Sequence, residues 1–467
     1  MSAFIDSLDR GNTPFLNEIE KYALETQVPI IRRSMQSLLK FLLAYAKPKN
    51  ILEIGTAIGF SALLMSEYAP AGCHITTIEK YEKRIPIARE NFKRAGKEDK
   101  ITLIEGDALE VLKGLDGEYD FIFMDAANRI FLPVLISFAL SVVLGPVVIP
   151  ILRKLKMGQT EREDGVKSHL KKAGTPTMGG VIILSSIAIT SLFYIKDYPT
   201  IIPILFVTVG FGLIGFLDDY LKVVMKRSDG LYPKQKMGLQ ILVTAVFAFY
   251  VVKFTEIPLT WLIPFTDGKY LNLGFLAIPM MFIVIIGTVN GVNFTDGLDG
   301  LASSVTVLVA TFFTVVAIGT KSGIEPITCA VVGALLGFLL FNVYPASVFM
   351  GDTGSLTIGG IIAVYAIMIH KELLIPVLCG IFMVEALSVV IQVSVFSFAK
   401  NKLKKPEGYR IFKMTPLHHH YQKKGDGSIK ALIQFPKTPI PEGRLVTRFW
   451  IIGIFLAVIT FVTLKIR

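Results

Sequence analysis

Cysteine is scarce in this chain of 467 residues, which contains only Cys73, Cys329 and Cys379. Their odd number, wide spacing and mostly apolar surroundings argue against a disulfide framework and against a zinc site. We also expect no signal peptide in this sequence, because residues 1–20 are polar and of mixed charge. Charged residues make up only 18% of the chain and hydrophobic residues 52%, with a mean hydropathy of +0.58. With long apolar runs, this composition excludes an ordinary soluble protein and indicates an integral membrane protein.

Acidic residues outnumber basic ones only in the N-terminal part of the chain. Residues 1–128 hold 16 Lys+Arg and 19 Asp+Glu, whereas the whole chain has a net charge of +11. The remainder is therefore strongly basic. A basic excess can bind nucleic acid, but in a protein with many spans it more often marks cytoplasmic loops and anionic ligands. We expect no nucleic-acid partner.

Residues 1–128 alternate strand and helix signals. Short apolar runs at 50–54, 74–79, 101–105 and 121–124 are typical of buried strands, and helical patterns lie between them. This order predicts a Rossmann-like α/β segment with a parallel sheet. With only four strands before Ile130, the fourth strand would be an exposed apolar edge.

Four motifs in this segment resemble class I S-adenosylmethionine-dependent O-methyltransferases. They are ILEIGTAIGFS at 51–61, the acid that ends HITTIE at 74–79, EGDALEVL at 105–112 and DFIFMDAA at 120–127. The resemblance assigns vestigial cofactor-binding roles to Gly55, Gly59, Glu79 and Asp107. Asp125 matches the family's first metal ligand, but the later ligands have no counterpart. We therefore predict a truncated methyltransferase segment, joined by a chimeric junction near 128–130, without methyl transfer.

From residue 130 onward the pattern changes to long apolar runs. They predict a mainly α, polytopic membrane helix bundle of about ten transmembrane helices in the domain 129–467. The loops after the first, third and ninth runs are rich in Lys and Arg, which places them in the cytoplasm and both ends of the bundle outside. The runs are 130–152, 179–195, 199–217, 238–253, 273–289, 301–319, 325–343, 355–369, 373–397 and 447–465.

Five polar motifs occur at the ends of these runs, and the topology lets all of them meet at the cytoplasmic face. Their carboxylates suit Mg²⁺, which takes a few carboxylates with water and phosphate oxygens. Their glycines allow backbone to approach a phosphate, and their basic residues can neutralise a diphosphate. Such a set suits phosphoryl transfer. The motifs are SHLKKAGTPTMGG at 168–180, GFLDDYLK at 215–222, NGVNFTDGLDGLA at 290–302, FMGDTGS at 349–355 and KMTPLHHHY at 413–421.

Each motif has an ordinary structural explanation when it is taken alone. Adjacent aspartates can cap a helix, TDGLDG can be a turn, three histidines can be a surface loop, and a lysine can be a topology signal. The joint occurrence of all five favours a functional site. The acidic motifs cluster at one face, whereas transporter sites lie near mid-membrane, which argues against a transporter or channel.

All five motifs, in order, resemble those of the phospho-N-acetylmuramoyl-pentapeptide transferase family, within the polyprenyl-phosphate N-acetylhexosamine-1-phosphate transferase superfamily. The resemblance covers 130–467. It implies transfer of phospho-MurNAc-pentapeptide from UDP-MurNAc-pentapeptide to undecaprenyl phosphate, giving lipid I and UMP, with Mg²⁺ as cofactor. It also implies a multi-pass protein of the bacterial cytoplasmic membrane, in contact with the lipid bilayer, with a cytoplasmic active site and a homodimeric state. A sister enzyme that transfers GlcNAc-1-phosphate and a bifunctional, S-adenosylmethionine-binding fusion are the alternatives.

The resemblance also assigns residue roles. Asp352 would be the main Mg²⁺ ligand, Asp218 the base that deprotonates the lipid phosphate, and Asp219 a support for metal or substrate; His418 completes the catalytic group. Phe349 would stack on uracil. The remaining substrate-binding residues are Lys172, Thr177, Lys236, Asn293, Asp296, Asp299 and His419.

Two further features of the back half bear on the site. Glu385 lies inside the ninth run, where a buried carboxylate is a functional candidate by default; its depth favours a structural hydrogen-bonded role. The link between the histidines and the last run is longer than the family pattern by roughly a dozen residues around 426–439. This extra stretch could be a lid or an insertion without consequence.

Overall fold

The computed structural model describes residues 11–465, apart from 27, 29, 32, 116, 125–127, 156–173, 228–229, 256, 258, 267–268, 321 and 403–408. Internal contacts divide the chain into two compact units, Met1–Arg129 and Ile130–Arg467. Asp125 and Lys172, two residues singled out from the sequence, lie outside the described residues.

The first unit is an α/β layer around a parallel sheet. Its strands have the order β3-β2-β1-β4, and every neighbouring pair is parallel. The predicted Rossmann-like pattern is confirmed. The elements are α1 (Pro14–Glu25), α2 (Arg33–Ala46), β1 (Asn50–Ile54), α3 (Phe60–Tyr68), β2 (His74–Glu79), α4 (Ile85–Arg94), β3 (Ile101–Glu105), α5 (Ala108–Val111) and β4 (Phe121–Met124).

The sequence explains the turn and the edge of this sheet. The turn between β1 and α3 begins and ends with glycines of positive φ, Gly55 at 98° and Gly59 at 86°. A Cβ on Gly59 would stand 2.5 Å from the Phe92 ring, so only glycine fits there. Within the described residues β4 pairs with β1 alone, and Ile122 on it is 58% exposed.

The second unit is a bundle of α-helices with one small hairpin. Within the described part of the chain, nine helices are long and apolar enough to cross a membrane. The second predicted span is shorter than expected, a helix of 13 residues. The elements are α6 (Asn128–Lys154), α7 (Gly180–Leu192), α8 (Ile202–Val223), α9 (Pro233–Phe254), β5 (Thr260–Leu262), β6 (Tyr270–Asn272), α10 (Ala277–Thr295), α11 (Leu301–Thr320), α12 (Glu325–Asn342), α13 (Gly351–Met368), α14 (Ile375–Leu378), α15 (Gly380–Asn401), α16 (Leu417–Gln422) and α17 (Glu442–Lys465).

Helix α13 forms the centre of the bundle, since every residue from Thr353 to Ile367 is buried. A helix that is apolar all round must be enclosed by other helices. Helices α6, α15 and α17 instead leave most of their surface exposed, which suits contact with lipid.

Glycines let the backbones around the start of α13 approach closely. A Cβ on Gly180 of α7 would stand 2.0 Å from the Gly354 nitrogen, and one on Gly215 of α8 would stand 2.2 Å from the Asp352 carbonyl oxygen. Small residues at such crossings replace side-chain packing with backbone contact. The first turn of α13 is therefore wedged directly between α7 and α8.

Candidate active site

The first motif is joined to the fourth by backbone hydrogen bonds. The Phe349 nitrogen donates to the Pro176 carbonyl, and the Gly179 nitrogen donates to the Phe349 carbonyl, each over 2.8 Å. Thr177 lies buried between these bonds, while Phe349 is half-buried. Gly351 follows with φ of 71°, and a Cβ there would stand 2.8 Å from both the Asp219 carboxylate and the Thr177 hydroxyl. Glycine is thus required where α13 begins.

Asp219 caps the start of α13. Its Oδ1 accepts the Asp352 N–H over 3.1 Å, and its Oδ2 accepts the Thr353 N–H over 2.9 Å and the Thr353 hydroxyl over 2.7 Å. A carboxylate satisfies the free N–H groups of a helix start and is favoured there by the helix dipole. The structure therefore places Asp219 as the support that positions Asp352.

Asp218 and Asp352 share two lysine ammonium groups. The Lys222 Nζ lies 2.8 Å from Oδ2 of each aspartate, and the Lys236 Nζ lies 3.2 Å from Asp218 Oδ2 and 2.9 Å from Asp352 Oδ2. The Leu231 N–H binds the other Asp218 oxygen over 2.7 Å. The Asp218 side chain is 2% exposed and that of Asp352 is 16% exposed. Asp352 is thus the more open of the two.

The third motif reaches the same cluster from α10. The Asn293 Nδ2 donates to Asp352 Oδ1 over 2.7 Å and to the Ser355 hydroxyl over 2.9 Å. Asp296 follows the end of α10 and accepts the Gly351 N–H. Burial, reinforced by the charges of Asp352 and Asp219, raises the pKa of Asp296 to about 8.

Asp299 has a supporting position. Its carboxylate accepts the Ala346 N–H over 3.0 Å, and its own N–H donates to the Glu442 carboxylate over 2.8 Å. The side chain is buried. These bonds tie together the segment that precedes Phe349 and the start of α17.

The fifth motif forms the short helix α16, whose first histidine is fixed by α15. Both carboxylate oxygens of Glu385 accept the His418 N–H, and the His418 Nδ1 lies 3.2 Å from Glu385 Oε2. His418 is fully buried, and its Nε2 is aimed at Gly297 so closely that a Cβ on Gly297 would overlap it. His419 is half-buried, with its Nδ1 3.3 Å from the Gln422 Oε1. The structural role predicted for Glu385 agrees with these bonds.

Whether this cluster can bind Mg²⁺ depends on which oxygen ligands its side chains supply. Among the described residues no three His, Cys, Asp or Glu side chains converge as a metal site. Mg²⁺ needs only one or two carboxylates, with water and substrate phosphates supplying the other ligands. Asp218 and Asp352 are bridged by Lys222 and Lys236, each of whose ammonium groups lies within 3.2 Å of both carboxylates. This pair fits the ion, whose charge would stabilise a phosphate when bound.

Sequence reasoning missed Lys222 as a site residue. It stands one helical turn after Asp218 within GFLDDYLK, a spacing that places both on one helix face. It also missed Ser355, which belongs to FMGDTGS. Both residues lie within motifs that the sequence analysis had identified.

In the first unit, two residues that the resemblance assigns to cofactor binding, Glu79 and Asp107, form hydrogen bonds or ion pairs with neighbouring residues. Glu79 accepts the N–H groups of Ala57, Lys80 and Tyr81 over 2.6 to 2.9 Å. A carboxylate has about four acceptor positions, so three are in use. Asp107 forms an ion pair with Lys80 over 2.7 Å.

We expect Glu385→Ala to lower the activity of this site about 10- to 100-fold, because groups that orient a site residue have effects of that size. Loss of the carboxylate leaves the His418 N–H buried without its acceptor. Glu385→Gln keeps a carbonyl acceptor and should retain more activity than the alanine variant. Initial rates of both variants, with Glu325→Ala on another helix as control, check this; equal rates for Ala and Gln would contradict it.

Helices long and apolar enough to cross a membrane, with carboxylates and lysines gathered in one cluster, define an integral membrane protein whose site suits phosphoryl transfer. The family model "Glycosyl transferase family 4" matches residues 201–370, and "Phospho-N-acetylmuramoyl-pentapeptide-transferase signature 1" matches 172–184. Phospho-N-acetylmuramoyl-pentapeptide-transferases are similar along nearly their whole length. The one from Acetivibrio thermocellus is 45% identical over 337 residues, 71% of this chain and 94% of its own. The one from Bacillus subtilis is 44% identical over 335 residues, 71% of this chain and 96% of its own.

The chain therefore belongs to the phospho-N-acetylmuramoyl-pentapeptide-transferase family, as its five motifs predicted.

The N-terminal region of the chain is similar to other proteins: the family model "O-methyltransferase" matches residues 7–163. A methyltransferase structure from Podospora anserina is 37% identical, with a TM-score of 0.26 and 27% of this chain covered. An O-methyltransferase from Bacillus cereus is 28% identical, with a TM-score of 0.25 and 27% covered. The chain spans 56% and 61% of these two proteins.

Proposed function

We propose that the chain transfers phospho-MurNAc-pentapeptide from UDP-MurNAc-pentapeptide to undecaprenyl phosphate, which yields lipid I and UMP. The names of the relatives supply the transferred group. The observation that carries the proposal is the cluster in which Asp218 and Asp352 share Lys222 and Lys236. Phosphoryl transfer requires this combination of carboxylates for Mg²⁺ and cations for phosphate oxygens.

In the proposed reaction an oxygen of the lipid phosphate attacks the phosphorus that bears the sugar, and the bond to the UMP phosphate breaks. The donor diphosphate offers Lys222 and Lys236 new anionic partners in place of the carboxylates. That exchange would free Asp218 Oδ2 to accept any proton of the lipid phosphate, and Asp352 is the residue that would hold Mg²⁺. Asp219 and Asn293 keep Asp352 in place throughout.

An apolar cavity beside α16 supports a lipid acceptor. Its volume is about 590 Å³, and it lies between α15 and α17 with Leu417, Tyr421 and Arg448 among its lining residues. An apolar channel with one cation suits a polyprenyl chain that ends in a phosphate. Two of its lining residues, Leu417 and Tyr421, belong to α16, the helix that carries His418.

We further propose a bacterial cytoplasmic membrane location with the site facing the cytoplasm. The support is the Lys/Arg-rich loops that flank the motifs. The first unit is proposed to be a truncated methyltransferase-like segment without methyl transfer, given its four-stranded sheet and the engaged Glu79. The homodimeric state stays a prediction.

The test is UMP release by the purified full chain with UDP-MurNAc-pentapeptide, undecaprenyl phosphate and Mg²⁺. We expect release that stops when a chelator removes Mg²⁺ and resumes when Mg²⁺ is restored. UDP-GlcNAc is the matched donor control and should give no UMP. Release from UDP-GlcNAc alone would contradict the proposal and move the chain to the sister branch.

A further inference from the structure

The stretch that follows the histidine helix is fixed against it by buried groups. Lys413 is almost fully buried, and its Nζ donates to the carbonyls of Lys423 over 2.6 Å and Pro436 over 2.8 Å. The Gly425 N–H donates to the Lys437 carbonyl over 2.9 Å. A buried ammonium that binds two carbonyls across the stretch holds it in one conformation.

Two more sets of bonds complete this anchorage. His420 Nδ1 accepts the Lys413 N–H, so the proton of the neutral ring lies on Nε2, which donates to the Phe435 carbonyl over 2.8 Å. The N–H groups of Leu432 and Ile433 donate to the carbonyls of residues 410 and 411 over 2.8 and 2.9 Å. The extra residues are therefore a folded part of the protein.

This folded stretch carries an apolar ridge, defined as Leu432, Ile433 and Phe435. Leu432 is 81% exposed and Phe435 is 77% exposed, although their backbones are hydrogen-bonded. Large apolar side chains that a fixed backbone holds in water are unfavourable, because their apolar surface stays hydrated. The ridge thus calls for an apolar partner outside the unit.

Basic residues surround the ridge. Between 409 and 441 the sequence has one acidic residue, Asp426, which pairs with Lys424 over 3.4 Å. The exposed basic side chains of this stretch form the basic rim, namely Arg410, Lys424, Lys430 and Lys437. The rim gives the surface around the ridge a positive charge.

The position of the stretch between membrane-spanning helices indicates that its apolar partner is the lipid bilayer. The stretch leads from α16 into α17, which begins at Glu442, and α16 itself follows α15, which ends at Asn401; both α15 and α17 are long and apolar enough to cross a membrane. The ends of such helices lie at the boundary between the hydrocarbon and the lipid headgroups. A segment between two such ends lies within reach of that boundary.

We propose that the apolar ridge inserts into the headgroup–acyl boundary of the bilayer that the chain spans, while the basic rim binds anionic lipid phosphates. Apolar side chains beside cationic ones are the combination that binds this boundary, and anionic lipids strengthen the binding. The insertion holds α16, and with it His418, at a fixed depth below the membrane surface. This role does not depend on which substrate the enzyme uses.

The test is spin-label depth measurement on the full chain in vesicles that contain phosphatidylglycerol. The three native cysteines are buried, so a cysteine introduced on this stretch is the readily labelled one. Labels are placed at Leu432→Cys and Phe435→Cys, and the control is Ser428→Cys, which is exposed beside Asp426. Collision with oxygen reports lipid, and collision with a water-soluble nickel complex reports solvent.

We expect the ratio of oxygen to nickel collisions to be severalfold higher at 432 and 435 than at 428. In vesicles of phosphatidylcholine alone, the difference should shrink, as it should in Lys430→Gln/Lys437→Gln. Equal ratios at all three positions would overturn the proposal. Protection from both reagents with spin–spin broadening would overturn it in favour of a second copy of the chain.

Discussion

Asp352→Asn should abolish UMP release, with a loss of roughly a thousandfold or more, since charge neutralisation contributes effects of that order to phosphoryl transfer. The substitution keeps the shape of the side chain but removes the charge that Lys222, Lys236 and Mg²⁺ would share. The amide can still meet Asn293 through its oxygen. Single-turnover rates of the wild type and the variant at saturating Mg²⁺ measure the effect.

The control for this prediction is a neighbouring polar group outside the cluster. Thr357→Val lies on the same helix, is buried, and bonds only the Thr353 carbonyl among the bonds that the described residues show. It should leave the rate within a few-fold of wild type. Full activity of Asp352→Asn in a sample whose Mg²⁺ requirement is unchanged would refute the assignment of Asp352.

Asp219→Ala should have the second largest effect, on both activity and folding. The substitution leaves two backbone N–H groups and one hydroxyl of α13 without their acceptor in a buried place. Each such group costs about 1–3 kcal/mol, so the free energy of unfolding should fall by several kcal/mol. The Asp352 carboxylate loses its support in the same step. Thermal unfolding in detergent and UMP release are the two measurements.

Asp219→Asn separates the two consequences. An amide oxygen can accept from one side of the helix start but its NH₂ cannot, so stability should recover partly. Asp197→Ala, at an exposed position after α7, is the matched control and should change neither quantity. Normal stability of Asp219→Ala with lost activity would show that Asp219 acts on the substrate rather than as a cap.

The sequence was sufficient to predict that the motifs lie near one another, because the number of spans and the loop charges place them at the same face of the membrane. The structure brings the described parts of the first four together around Asp352, and the fifth meets the third where His418 lies against Gly297. The strands of the front segment were equally readable, since each is a short apolar run bounded by turns. Patterns of this kind depend on local periodicity, which is visible in one chain.

The roles within the site could not be read in the same way. Adjacent Asp218 and Asp219 must point in different directions on a helix, but which of them caps α13 depends on where Gly351 falls in space. Asp299 was predicted to bind substrate, and that role stays a prediction; the hydrogen bond that its carboxylate accepts from the Ala346 N–H could not be read from the sequence. The anchorage of the stretch after α16 depends on Lys413, whose buried position no local pattern signals.

The glycine contacts around α13 have a consequence for how charge moves in this enzyme. Asp219 and Asp352 are attached to helices whose backbones touch without intervening side chains, and three hydrogen bonds to the start of α13 hold the Asp219 carboxylate in place. Lys222 and Lys236 carry their charge on flexible four-carbon stems. Under the proposed function, the carboxylates would keep their positions while Lys222 and Lys236 turn toward the entering diphosphate, so that the substrate would bind by exchange of ion-pair partners rather than by rearrangement of the fold.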